Sequence, residues 1–310
     1  MSVFVGRKEE GRAVLLSARA GRGVVLSAPP GYGKSALLEE LRPALEAWSV
    51  VLWTEKLAPF GAFLKDLFRA LWDARIPVEG VDFSKDPEKD LQAWGKRYSS
   101  NEEKAKSLVR ALRRYAESGV NRATLVVDDA TGVTGSMVPW LVALSEVATL
   151  VLAVHPETLR KANTKRLWMR LDRVDLPPLS PRETRELAEA LVERYGVVAE
   201  DREAYLARVV SLSGGIPGEV ERLIRYVSAE DIVKNRDIGT GYAEGLARRE
   251  ERGIALAPIL LVAGGVAIAA RYLGLARGEM DLYVAGGIGF GPRRSFKSRS
   301  GSLKRRMARL

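Results

Sequence analysis

Cysteine is absent from all 310 residues, which excludes disulfides, thiolate metal sites and cysteine nucleophiles. A single histidine, His155, rules out a histidine-rich metal centre. Amides are almost as scarce. Only Gln92, Asn101, Asn121, Asn163 and Asn235 stand against 49 basic and 39 acidic side chains. A hot-growing source favours that balance, because amides are thermolabile and ion-pair networks gain relative worth with temperature. Acid is missing from residues 291–310, where Arg293, Arg294, Lys297, Arg299, Lys304, Arg305, Arg306 and Arg309 carry +8 of the net +10. The other residues are therefore close to neutral, and the high isoelectric point describes a tail and not a surface.

What is present reads as a folded globular chain, 46% hydrophobic and 28% charged, long enough for one large domain or two ordinary ones. Val24–Ser27 is a short apolar run, and from Lys34 onward Leu37, Leu38, Leu41 and Leu45 repeat with helical spacing. Between them lies Ala28-Pro29-Pro30-Gly31-Tyr32-Gly33-Lys34-Ser35, followed by Ala36. Strand, glycine loop and helix is the setting of a phosphate-binding loop, with Ala28 in place of the usual first glycine. Gly31 and Gly33 let successive amides curl around phosphates, Lys34 reaches the terminal phosphates, and Ser35 can ligate Mg²⁺. The cofactors expected are ATP and Mg²⁺.

Val50–Thr54 is expected as a second strand, and Phe60, Phe63, Leu64, Leu67, Phe68 and Leu71 stripe a helix after Pro59. Residues 73–100, broken by Pro77, Gly80 and Pro87, read as an insertion with short helices. Asn101 with Lys104, or Ser100 with Glu103, can cap the helix that follows. Thr124–Asp128 is a buried-type strand ending in two acids. Asp128 can hold Mg²⁺ through water and Asp129 can polarise the attacking water. Ser136–Val147 reads as a helix and Leu150–Val154 as a strand. His155 follows that strand, where it could contact the γ-phosphate or the lytic water, or simply cap the next helix.

Arg173–Leu176 is a candidate fifth strand. Ser180, Pro181 and Glu183 form a clear helix start, and two further helices are expected around 201–212 and from Pro217, together a helical lid. Lys165, Arg166, Arg170 and Arg173 precede the fifth strand. Arg166 or Arg170 could act as a charge-neutralising finger on a neighbouring subunit's triphosphate, and a solvated basic surface is the plainer reading.

Residues 254–270 are seventeen uncharged residues, and 254–276 as a helix is just long enough to cross a bilayer. A membrane span is the expectation, with a helix buried in protein and an interfacial anchor as alternatives. The basic tail 291–310 offers a contact for DNA or anionic lipid. The organisation expected is an α/β nucleotide-binding domain over 1–178, a helical lid over 179–235, a linker over 236–253, the apolar segment 254–276, and a C-terminal segment 277–310. No secretory signal is visible over Met1–Gly6, so the nucleotide-binding part is expected in the cytoplasm, anchored in the cell membrane.

These residues resemble the AAA+ P-loop ATPases of the archaeal STAND-like and origin-recognition-like group. Phe4-Val5-Gly6-Arg7-Lys8-Glu9-Glu10 is similar to that group's N-terminal signature near the adenine, and Gly214-Gly215-Ile216-Pro217 to its lid motif. The resemblance implies a parallel α/β sheet with a small lid. It also implies cofactor contacts from Phe4, Val5, Arg7, Pro30–Ala36 and Pro217, and assembly into a homo-oligomer or activation by a partner. His155 falls at the sensor-1 position. Gly218 occupies the place of the sensor-2 arginine, which Arg222 one turn later could replace. The function expected is a membrane-anchored ATPase driving transport, assembly or signalling. The alternatives are a DNA-associated ATPase of initiator or transposition-helper type, or a slow nucleotide-dependent switch.

Overall fold

The structure is a computed structural model that describes residues 3–227 except 82, 85, 120 and 121. Five strands form one parallel sheet: β1 (Val24–Ser27), β2 (Val51–Lys56), β3 (Thr124–Asp129), β4 (Thr149–Val154) and β5 (Asp172–Asp175). Their spatial order is β2-β3-β4-β1-β5. Val24 lies opposite both Val151 and Asp172, and Thr124 opposite both Val51 and Thr149. A sheet covered on both faces needs strands that are apolar on both sides, and β1 and β4 are buried at every residue. The edge strand β5 reads Asp-Arg-Val-Asp, and its charges discourage further pairing.

Alternation along the strands separates two cores. Leu125, Val127, Leu150 and Leu152 face a cluster with α3 (Phe60–Asp73), α4 (Pro87–Arg97), α5 (Asn101–Glu117) and α6 (Val138–Val147). Val126, Val151 and Ala153 face the opposite cluster, filled by Val14 and Ala18 of α1 (Lys8–Arg19) and by Leu37, Leu38, Leu41 and Leu45 of α2 (Lys34–Glu46). Three helices, α9 (Pro181–Tyr195), α10 (Arg202–Ser213) and α11 (Pro217–Val227), enclose a third cluster around Leu187, Leu191, Tyr205, Val209 and Ile224. Between β4 and β5 run the short α7 (Pro156–Leu159), a 3-10 turn at Ala162–Thr164, and α8 (Lys165–Trp168).

Local rules explain the element starts. Ser100 and Ser180 each accept a bond from the amide three residues on, and Glu103 and Glu183 return the bond, two complete capping boxes. Asp86 caps α4, with Pro87 in the first turn.

The expectation of a membrane-anchored protein requires correction. No helix among the described residues is long and apolar enough to cross a membrane. The segment 254–276, like the linker and the tail, lies outside the described residues. The fold of the described residues is a parallel sheet with helical decoration, consistent with an AAA+-like P-loop fold.

Candidate functional site

The phosphate loop leaves β1 between two structural constraints. Ala28 is 1% exposed within the core, and its amide donates to the Val154 carbonyl at 3.3 Å, so the first loop position needs a small side chain. Gly31 and Gly33 then take positive φ, 84° and 85°, a conformation that L side chains resist. α2 starts at Lys34 immediately after Gly33, leaving its first amides unpaired by the helix itself and turned toward the loop. Ser35 is exposed at that end.

Lys34 Nζ folds back on the strand end, donating to the Ala28 carbonyl at 2.7 Å and the Pro29 carbonyl at 3.1 Å. Burial lowers its pKa, and the charges of Asp129 and Asp128 act in the opposite direction. The ammonium and both acids therefore share one electrostatic environment. β3 lies two strands from β1, with β4 between them, so the acids, His155 and the loop emerge from the same edge of the sheet.

Asp128 Oδ1 is buried and has no hydrogen-bond partner. A carboxylate oxygen left so is expensive unless a cation or water meets it. Asp129 is exposed, and its Oδ1 accepts the Thr131 amide at 3.0 Å. Thr131 Oγ1 in turn accepts the His155 amide at 3.1 Å. Of the two readings of His155, the helix cap is the arrangement present: Nδ1 accepts the Glu157 amide at 3.3 Å, which leaves Nε2 for any other contact.

The N-terminal residues join the loop to the helical domain. Arg7 is 5% exposed at φ 62°, pairs with Glu10 at 3.1 Å, and donates from Nη2 to the Tyr32 carbonyl at 3.3 Å. Its backbone and charge also reach Glu183, whose carboxyl is held below its usual range first by the Ser180 hydroxyl and amide and then by Arg7. Phe4 packs with Tyr32 on the core beneath the loop, while Val5 packs on the lid cluster. A groove of about 820 Å³ opens beside Phe4, Val5 and Arg7 and runs along α1 and α2, past Leu37 and Leu41 to Trp48.

The lid touches the loop directly. The Gly218 amide donates to the Gly31 carbonyl at 2.8 Å, and the Pro217 ring lies 3.8 Å from where a Cβ on Gly33 would stand. Arg222 points to Glu219, with Nε at 2.9 Å from the carboxylate. Arg170 pairs with Glu146 at 3.5 Å, and Arg166 is exposed on α8. Sequence reasoning missed Thr131 and the contact between Arg7 and Glu183. The capping box revealed Glu183, but nothing local pointed to its second partner.

Loop, facing acids and sheet order are consistent with an AAA+-like P-loop fold. Among solved structures, the chain is similar to a Walker-type ATPase of Pyrococcus abyssi, with a TM-score of 0.51 and 14% identity over 87% of this chain and 80% of that one. A weaker likeness is to the RuvB Holliday junction branch migration motor of Thermotoga maritima, with a TM-score of 0.38, 15% identity and 72% of this chain covered. The match spans 62% of that protein's length. No family model and no curated protein matches. Assignment to the archaeal STAND-like and origin-recognition-like group is thereby corrected. At this identity the likeness reaches the Walker-type fold and stops short of any subgroup.

Proposed function

We propose that this protein binds ATP with Mg²⁺ and hydrolyses it. The observation that carries the reading is Asp128 Oδ1, buried and unpartnered beside a glycine loop whose lysine shares its electrostatic environment. Ser35 and Asp128 would hold the metal, Asp128 through water. A divalent cation there would neutralise charge on the transferred phosphoryl group. Lys34 would exchange its two loop carbonyls for phosphate oxygens, and the α2 amides would face the same anion. Asp129, exposed and oriented by the Thr131 amide, would accept a proton from the attacking water. The base would enter the groove beside Phe4, Val5 and Arg7. Replacing Lys34 with Ala should abolish nucleotide binding measured by titration calorimetry, and Asp129→Asn should keep binding and stop phosphate release. Undiminished binding by Lys34→Ala would overturn the reading.

A DNA-associated ATPase is the second reading, favoured by the acid-free tail with its eight basic side chains. Deleting 291–310 should then remove DNA binding whose affinity falls steeply with salt.

A further inference from the structure

Between β4 and β5, residues 158–171 carry five basic side chains and no acid: Arg160, Lys161, Lys165, Arg166 and Arg170. All five are exposed. Only Arg170 meets a carboxylate, Glu146, and the other four make no ion pair among the described residues. α5 offers a comparison within the same fold. Its basic run is similar in length, but Lys106 pairs with Glu102, Arg110 with Glu79, and Lys104 lies over the Trp94 ring. On α5 two of the five basic side chains meet a carboxylate and a third lies over a ring, while Arg113 and Arg114 make no ion pair among the described residues; on 160–170 one of five meets a carboxylate and no acid lies within the run.

The segment is also held rigidly from beneath. Leu167 and Thr164 are fully buried, and Trp168 Nε1 donates to Thr164 Oγ1 at 3.0 Å. Thr164 Oγ1 donates to the Lys161 carbonyl at 3.0 Å, and the Thr158 amide donates to the His155 carbonyl at 2.9 Å. A solvated loop needs no such anchoring. Here the backbone beneath the cations is already anchored, so only their side chains remain to be ordered on a ligand. A row of separate charges suits a polyanion with repeating phosphates, whereas a finger toward one triphosphate needs a single converging arginine.

We infer that the 160–170 segment is a nucleic-acid contact that binds the phosphate backbone on the folded body, separately from the tail. The inference is independent of hydrolysis, although the surface begins five residues after His155 and so lies close in sequence to the proposed ATPase site.

The test uses the full chain carrying Arg160→Glu, Lys161→Glu and Lys165→Glu together, titrated without nucleotide against a fluorescein-labelled DNA duplex at several salt concentrations. Each phosphate contact contributes about 0.9 to the slope of log affinity against log salt. Loss of three should flatten the slope by about 2 to 3 and weaken binding by at least about tenfold at moderate salt. Unchanged affinity and slope in a variant that unfolds at the wild-type temperature would overturn the inference. So would a variant whose DNA binding is intact but whose binding to phosphatidylserine vesicles is lost. Intact DNA binding with reduced hydrolysis in DNA-free protein would reassign the segment to a subunit contact. Because nucleotide is omitted, failure here leaves the ATPase reading untouched, and failure of Lys34→Ala to lose ATP leaves this result standing.

Discussion

The amide of Gly218 donates to the carbonyl of Gly31 at 2.8 Å, joining the first turn of the last lid helix to the phosphate loop by backbone alone. A Cβ on Gly218 would sit 2.9 Å from Gly31 Cα and 3.2 Å from its oxygen, so the approach requires glycine on the lid side. On the loop side the positive φ of Gly31 requires it as well. At Gly218 the lid therefore meets the loop's own backbone.

Gly218→Ala should therefore lift the lid from the loop. Inserting a methyl group into a packed contact costs about 1 to 3 kcal/mol, and relief is available by separating the two elements. The expected result is faster amide exchange at Gly218 and the neighbouring lid turn, with the sheet unaffected. Protection equal to wild type would show that the contact tolerates a methyl group and does not hold the lid.

Much of this arrangement was legible in the sequence, and the illegible part has a common cause. The strands appeared as β-branched runs because a sheet buried on both faces tolerates little else. Both capping boxes were readable because they are local, spanning Ser100 to Glu103 and Ser180 to Glu183. α4 was obscured because Pro87 reads as a breaker, yet here it sits in the first turn behind the Asp86 cap. The Gly218 contact lies far from Gly31 in sequence, and no local pattern encodes it. Thr131 escaped notice for a related reason: its hydroxyl serves a strand that begins many residues later. The membrane expectation rested on an apolar run that lies outside the described residues, among which no helix is long and apolar enough to cross a membrane.

Lys34 should weaken the fold that it serves. Burial depresses its pKa, so between that lowered value and the ordinary 10.5 the unfolded chain holds more protons than the folded one. Stability therefore rises as pH climbs through that window, and the burden of the buried ammonium is fully present below it. Lys34→Met retains the length of the side chain without the charge. Its stability near neutral pH should equal or exceed wild type, and the alkaline rise should disappear from its denaturation profile. A marked loss of stability would mean that the bonds to Ala28 and Pro29 outweigh desolvation.

Asp128 should behave in a similar way toward metal. Its Oδ1 lacks a partner, and leaving a buried polar atom unpaired costs about 1 to 3 kcal/mol. Asp128→Ala should leave the metal-free protein as stable as wild type or more so. Wild type with Mg²⁺ and ATP at a hundredfold excess over Kd should gain about 2.7 kcal/mol, and the variant should gain far less. Equal stabilisation of both proteins in thermal melts would place the cation elsewhere.

Thr131 joins the acid at the end of β3 to the residue after β4. Its amide fixes Asp129 Oδ1 at 3.0 Å, and its hydroxyl accepts the His155 amide at 3.1 Å, so one residue sets both the acid and the end of β4. Thr131→Val keeps the volume and removes the acceptor. The His155 amide then loses its partner, at about 1 to 3 kcal/mol if no water replaces it, and the turn holding Asp129 loosens. On the proposed role of Asp129 as the base, a loosened turn should lower kcat while KM for ATP stays near wild type. Thr131→Ser, which restores the oxygen without the methyl group, should recover most of the rate. A purely structural role would instead lower stability in Thr131→Val and leave kcat of the folded fraction unchanged. Parallel measurement of melting temperature and turnover separates the two outcomes.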